Sequence, residues 1–310
     1  MTSIKPTIPP EAVLSLLTAF FGDGVGEITP ITEGQISRTF SFVADGQGYI
    51  IRFAEPMVAG FKREHFLFTR LTPQQPHLHE KVAPHLHTGQ YEGYDYVVTR
   101  RLPGKPLTAL SREEYLRTLP ALIETHAYIP QIDVSGTSGF GYLDDNGQGM
   151  FPSWREFLMD VREEQDDSLF FGKWHHLFED TFLDRAQFDA FFAKLLDLME
   201  FCPTERWLVH GDYGFDNVLA QDGQITGVLD WAPRYGDFLS DMGSLQLWMP
   251  DIDYTAMLGQ FYREHGLDVP HLAERIKCYM VHTGLDAMRF FAKTNQPHAY
   301  EFTCKRLAEI

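Results

Sequence analysis

The stretch from Trp207 to Trp231 constrains the fold of this chain more than any other. Trp207-Leu208-Val209 and Val218-Leu219-Ala220 are short apolar runs, and Gln221-Asp222-Gly223-Gln224 turns the second back into Ile225-Thr226-Gly227-Val228-Leu229. Apolar runs of strand length joined by an Asp-Gly turn predict a β-hairpin preceded by one further strand. Helical periodicity surrounds this island, with helices expected at 112–128, 153–164, 186–201, 236–248, 254–265 and 271–292. A β island inside a helical region excludes a plain helix bundle.

The first hundred residues read differently. A helix is expected over 10–21, opened by proline and closed by Gly22. Residues 38–43 alternate through Phe40 and Phe42, Asp45-Gly46-Gln47-Gly48 turns the chain, and 49–53 read as the return strand. A helix at 61–71 and strands at 85–88 and 91–100 follow, and Leu102-Pro103-Gly104-Lys105-Pro106 breaks the pattern. The expected fold class is α+β and bilobal: a small antiparallel-sheet N-lobe (1–102) and a larger, mainly helical C-lobe (103–310).

Polar residues crowd the ends of the island. Asp212 follows a strand and sits in a tight loop, Asn217 comes five residues later at the entry to the next strand, and Asp230 closes the hairpin. Antiparallel pairing returns Asn217 and Asp230 to the same end. Two oxygen ligands at one end of a hairpin suit Mg²⁺, a hard ion that keeps waters and takes phosphate oxygens. A further carboxylate, able to accept a hydroxyl proton in line with a γ-phosphate, completes the needs of phosphoryl transfer. Singly, each of these residues serves equally well as a turn former; their joint spacing between apolar strands favours chemistry. His210 is expected to hold the loop by hydrogen bonding rather than to act as a base.

Composition narrows the setting. A 310-residue chain with 44% hydrophobic residues can bury a substantial core. Its formal net charge of −17 disfavours nucleic acid and would attract a cationic ligand. Three scattered cysteines argue against a disulfide framework and fit a reducing compartment. The N-terminus has no apolar signal segment and no stretch reaches the roughly eighteen apolar residues of a membrane span, so a cytoplasmic protein without membrane contact, and a monomer, is expected.

The His210-Gly211-Asp212…Asn217…Asp230 pattern resembles the aminoglycoside phosphotransferases, relatives of the protein kinases whose catalytic loop reads H-x-D-x-x-x-x-N. Glu33 to Phe42, Thr137-Ser138-Gly139-Phe140-Gly141, Tyr279-Met280 and Gly284-Leu285-Asp286 are most similar to the branch that phosphorylates hygromycin B. The resemblance implies a protein-kinase-like fold, with Asp212 as catalytic base and Asn217 and Asp230 as Mg²⁺ ligands. It makes Glu33 to Thr39 the phosphate-covering loop, with Gly34 and Ser37, although a G-x-G-x-x-G pattern is missing. Arg52 stands where protein kinases have lysine and can hold nucleotide phosphates, with Glu64 as its ion-pair partner; a plain surface pair is the alternative. Gly211 replaces the arginine of protein kinases, Asp230-Trp231 replaces Asp-Phe-Gly, and no Ala-Pro-Glu segment follows, which favours a small-molecule kinase. Asp237 and Asp241 are expected to brace the catalytic loop, with an N-cap the simpler role for Asp237.

For the acceptor, Asp216 could bind a hydroxyl or ammonium group, Trp248 could stack on a sugar or sit in the core, and Asp286 lies on a late helix. The run Glu163, Glu164, Asp166 and Asp167 is as well explained by a solvated face. The resemblance thus implies an enzyme that transfers the γ-phosphate of ATP or GTP, with Mg²⁺, to a hydroxyl of an aminoglycoside, hygromycin B first, and confers resistance. A metabolic kinase of another amino-alcohol or sugar, and a nucleotide-binding pseudokinase, are the alternatives.

Overall fold

A computed structural model of the protein describes residues 6–32, 37–56, 60–167 and 169–310. These residues gather into two compact units, neither of them one continuous stretch.

The first unit comprises the described residues of Met1–Tyr128 together with Asp144–Gly147 and Phe215–Trp231. Its main element is a five-stranded antiparallel sheet in the order Thr29–Ile31, Arg38–Ala44, Gln47–Ala54, Tyr94–Arg100, His85–Tyr91. The central hairpin turns at Asp45 and Gly46, both with positive φ (50° and 76°), the conformation that makes Asp-Gly the favoured pair at a tight hairpin. Alternation along Arg38–Ala44 and Gln47–Ala54 sends Phe40, Phe42, Ile51 and Phe53 to one face, where they are fully or almost fully buried with Val13 and Leu17 of the helix Pro10–Phe21. The helix expected at 61–71 is α-helical only over Phe61–Phe66 and then widens to a π-turn over Leu67–Leu71.

The predicted hairpin forms as Val218–Gln221 paired with Gln224–Val228. Lys105–Pro106, expected to be only a break, adds a third short strand against Val218–Gln221. The helix Arg112–Tyr128 starts at a capping box: Ser111 Oγ accepts from the Glu114 amide at 3.3 Å, and the Glu114 carboxylate accepts from the Ser111 amide at 2.8 Å.

The second unit comprises Ile129–Leu143, Gln148–Gly214 and Ala232–Ile310. A small four-stranded sheet runs in the order Gly149–Phe151, Phe140–Leu143, Arg234–Gly236, Trp207–Val209. Three of these strands were not expected from the sequence: 137–141 looked like a connector, and the helix expected from Gly236 starts only at Ser240, with Gly236 instead ending the strand Arg234–Gly236. The helices of this unit include Arg185–Leu198, Ser240–Trp248 and Tyr254–Glu264, all packed on the long Leu272–Lys293, as is an unanticipated Pro297–Ala308. Gly284 and Gly243 mark where these helices approach: a Cβ at Gly284 would lie 2.6 Å from the Leu307 side chain, and one at Gly243 2.4 Å from Tyr279. No helix among the described residues is long and apolar enough to cross a membrane.

Phe53 is completely buried and meets Phe40 edge-on at 6.4 Å. Phe53→Ala is expected to cost about 3–5 kcal/mol of unfolding free energy, read from urea melts, with little change in the slope of the transition.

Candidate active site

The loop carrying Asp212 is fixed by backbone contacts made on its N-terminal side. Trp207–Val209 is held in the sheet by Arg234–Gly236, and beyond it the chain can no longer donate to a strand. The buried carboxylate of Asp241 takes over: its two oxygens accept from the His210 amide at 3.0 Å and the Gly211 amide at 2.8 Å. The Arg234 guanidinium donates to the Gly211 carbonyl at 2.8 Å, and the Asp212 amide donates to His210 Nδ1 at 3.1 Å. His210 is fully buried, whereas Asp212 is exposed. The imidazole is thus a loop-holder, as expected of it.

Gly211 is needed at its position. Its φ is +93°, and a Cβ there would lie 2.1 Å from the Ala232 carbonyl oxygen. The same Ala232 donates its amide to the His210 carbonyl at 3.0 Å, which holds it against the loop.

Burial pushes the Asp241 carboxyl up from 3.8 to about 6, opposed by the two amides and Arg234 and aided by the negative charge of Asp212. Folding therefore favours the protonated form. Its stabilising contribution is complete below pH 3.8 and is lost as the pH rises through about 6. The amide bonds, by contrast, are strongest to the carboxylate, above that pH.

Asp237 does not brace the loop directly. It caps the turn before Ser240–Trp248 through the Leu239 amide at 3.1 Å, and its carboxylate takes a two-pronged ion pair from Arg275 (2.8 and 2.6 Å) and a hydrogen bond from the Tyr279 hydroxyl. Arg275 and Tyr279 lie on Leu272–Lys293, so Asp237 ties that helix to the sheet. Burial of Arg275 opposes its charge, but Asp237 outweighs this and raises its pKa.

In the first unit, Arg52 and Glu64 form a bidentate pair, with Glu64 also 3.4 Å from His85 Nε2. The side chains of Arg52 and Glu64 are only 19% and 15% exposed, so this is not a solvated surface pair. Burial opposes both charges, yet their mutual attraction prevails: Arg52 is raised and Glu64 lowered, the latter with help from His85. The guanidinium also stacks over Phe61 at 5.0 Å and reaches to 3.7 Å from Asp230.

Asp230 follows the hairpin with φ +53° and a side chain 72% exposed. The Leu229 amide donates to the Asn217 carbonyl at 2.7 Å, which sets Asn217 and Asp230 at the same end of the hairpin. No group of three or more His, Cys, Asp or Glu side chains among the described residues could hold a metal ion. The oxygen donors of Asn217 and Asp230, one of them an exposed carboxylate, instead fit a hard cation that completes its shell with water and phosphate oxygens.

Gly34 lies outside the described residues. Ser37 Oγ is 3.3 Å from Thr39 Oγ1. Asp216 is exposed and accepts from the Thr108 hydroxyl. Trp248 stacks on Phe302 at 6.2 Å and meets Phe291 edge-on at 6.0 Å, contacts of helix packing. The Asp286 side chain is 50% exposed and accepts from the buried Arg289, itself 4.1 Å over Phe171. His282, one turn before Asp286, has its pKa pushed down to about 4 by burial, with Arg234 and Arg289 adding to the effect and Asp286 opposing it. Arg234, His85, Arg275 and His282 were missed by sequence reading; none belongs to a motif, and the first three reach their carboxylates only through pairing of distant segments, whereas His282 lies one turn from Asp286 on the same helix.

The comparisons with known proteins agree with this architecture. The phosphotransferase enzyme family model matches residues 27–275, and the chain belongs to that family. It is similar to hygromycin-B 4-O-kinase of Escherichia coli, 30% identical over 292 residues, which are 92% of this chain and 80% of that protein. Among solved structures it is similar to a thermostable mutant of aminoglycoside phosphotransferase APH(4)-Ia in ternary complex with AMP-PNP and hygromycin B (27% identity, TM-score 0.76, covering 96% of this chain and 97% of the other). Macrolide 2′-phosphotransferase MphH of Brachybacterium faecium shares the fold at 18% identity (TM-score 0.65, 96% and 97% covered). The protein is a small-molecule phosphotransferase with a kinase-like α+β fold.

Two outcomes follow. The wild-type transfer rate is expected to fall below pH about 6 as Asp241 takes up its proton, and Asp241→Asn, which keeps the shape but offers only one acceptor oxygen, to lower the rate about tenfold or more and to lack that fall; a rate–pH profile checks both. Gly211→Ala must strain the loop or displace Ala232, and a loss of at least about 1–3 kcal/mol is expected by chemical denaturation.

Proposed function

We propose that the chain transfers the γ-phosphate of ATP or GTP to a hydroxyl of an aminoglycoside, with hygromycin B the first candidate, and so confers resistance. The observation that carries this reading is the exposed Asp212 carboxylate at the head of a loop whose amides are held by Asp241. The acceptor class is supported by the likeness to hygromycin-B 4-O-kinase over 92% of the chain and by the net charge of −17, which favours a cationic substrate.

In this reading residues 1–102 serve the nucleotide and 103–310 catalysis and the acceptor. Gly34 and Ser37 cover the phosphates, and Arg52, held in place by Glu64, donates to their oxygens. Asn217 and Asp230 would hold Mg²⁺, which offsets the negative charge of the phosphates. Asp212 accepts the proton of the acceptor hydroxyl as its oxygen bonds to the γ-phosphorus. The bond from phosphorus to the bridging oxygen breaks, and the nucleoside diphosphate leaves. Asp216, Trp248 and Asp286 are the candidates for the acceptor. Asp286 has the best support, because it is half exposed beside His282 and Arg289; Trp248 has the least, because its contacts are those of helix packing.

The test is nucleotide turnover by the purified protein with Mg²⁺ and ATP or GTP, with and without hygromycin B, beside other aminoglycosides and amino-alcohols. Turnover that requires hygromycin B, with a product heavier by one phosphate, is expected. Turnover only with an unrelated amino-alcohol would contradict the acceptor assignment, and turnover with none would contradict the reaction.

A further inference from the structure

Two of the three cysteines, 76 residues apart in sequence, meet in the second unit. Cys202, just after the turn Met199–Phe201, has its Sγ 3.6 Å from Sγ of Cys278 on Leu272–Lys293. Both are free thiols, Cys202 partly exposed and Cys278 buried. Closing to a disulfide bond length of about 2.05 Å requires the two sulfurs to approach by about 1.5 Å.

The surroundings distinguish the two thiols. The Tyr279 hydroxyl oxygen lies 3.3 Å from Cys202 Sγ, but its single proton is engaged by Asp237, and Trp154 Nε1 donates to it at 3.1 Å. Cys202 thus sits in a polar, hydrogen-bonded pocket, whereas Cys278 is enclosed. The thiol–thiol contact holds Cys202 below its ordinary range, and the same contact together with burial raises Cys278. The more accessible thiol is therefore also the one that ionises first, the combination that makes a cysteine reactive.

We propose that Cys202 and Cys278 form a dithiol site that a small-molecule disulfide, such as oxidised glutathione, converts to an intramolecular disulfide. The Cys202 thiolate attacks one sulfur of the oxidant, forming a mixed disulfide and releasing one thiol. Cys278 then attacks the Cys202 sulfur, forming the internal bond and releasing the second thiol. The protein pair loses two electrons and two protons, and the oxidant gains both. Cys304, buried beside Tyr300 on another helix, takes no part.

Tyr279, next to Cys278 on the same helix, lies 3.3 Å from Cys202 Sγ and bonds Asp237, which stands four residues before Asp241, the carboxylate that holds His210 and Gly211. Oxidation is expected to lower the phosphoryl-transfer rate several-fold, reversibly. This consequence rests on the functional reading above, whereas disulfide formation does not.

The test treats the folded full-length protein with oxidised glutathione and follows intact mass and a non-reducing digest. The wild type is expected to lose two hydrogens, with the Cys202 and Cys278 peptides linked and no retained glutathione. Cys278→Ser should trap glutathione on Cys202, and Cys202→Ser should neither trap it nor form the bond. A wild type that keeps three free thiols, accumulates the mixed disulfide or reacts first at Cys304 would overturn the proposal. Where transfer activity is found, a fall on oxidation that dithiothreitol reverses and that Cys202→Ser lacks supports the link to the loop. An internal disulfide with unchanged activity would overturn that link alone.

Discussion

Everything that Asp212 can do depends on a buried carboxylate three strands away in sequence. Asp241 supplies both oxygens to the amides of His210 and Gly211, and those two amides are the last fixed points before the exposed Asp212. Burying a carboxylate in this way is unfavourable, and its raised pKa records the cost. Two amide donors and Arg234 offset that cost, and the same contacts hold the backbone at His210 and Gly211. Catalysis by placement requires this, because a general base must lie within hydrogen-bond reach of its proton.

The other charged centre works on the same principle. Arg52, Glu64 and His85 come from a strand, a helix and the edge strand one place further across the sheet of the first unit. An unpaired guanidinium at such burial would be costly; paired with Glu64, it is held with its remaining donors near Asp230. Arginine suits this place better than lysine, since its fork satisfies Glu64 bidentately and still stacks on Phe61. In both units a charged group is aimed by a buried partner of opposite or complementary character.

What the sequence made legible was local. The hairpins at 45–46 and 222–223 are written in Asp-Gly turns beside apolar strands, and the helix 112–128 in its periodicity. The spacing of Asp212, Asn217 and Asp230 was visible for the same reason, since they punctuate short strands. What escaped is non-local. Phe140–Leu143 and Arg234–Gly236 are too short and glycine-marked to announce themselves, and become strands only by pairing with each other and with Trp207–Val209. Lys105–Pro106 looks like a break, yet it completes the sheet of the hairpin. Asp237 was expected to brace the loop or cap the helix; it accepts from the Leu239 amide in the turn before the helix, whose N-cap is Leu239, and its carboxylate mostly serves Arg275 and Tyr279, which lie more than thirty-five residues downstream. The two cysteines that meet at 3.6 Å are likewise invisible in a spacing of 76 residues.

The central claim is that Asp212 takes the acceptor proton while other residues hold the nucleotide. Its most direct test measures, in Asp212→Ala and wild type side by side, nucleotide affinity by calorimetry and the phosphoryl-transfer rate in a single turnover. The account predicts affinity within about threefold of the wild type and a transfer rate lower by about a hundredfold or more. A variant that transfers at nearly the wild-type rate, or that loses nucleotide binding in proportion to its rate, would contradict it.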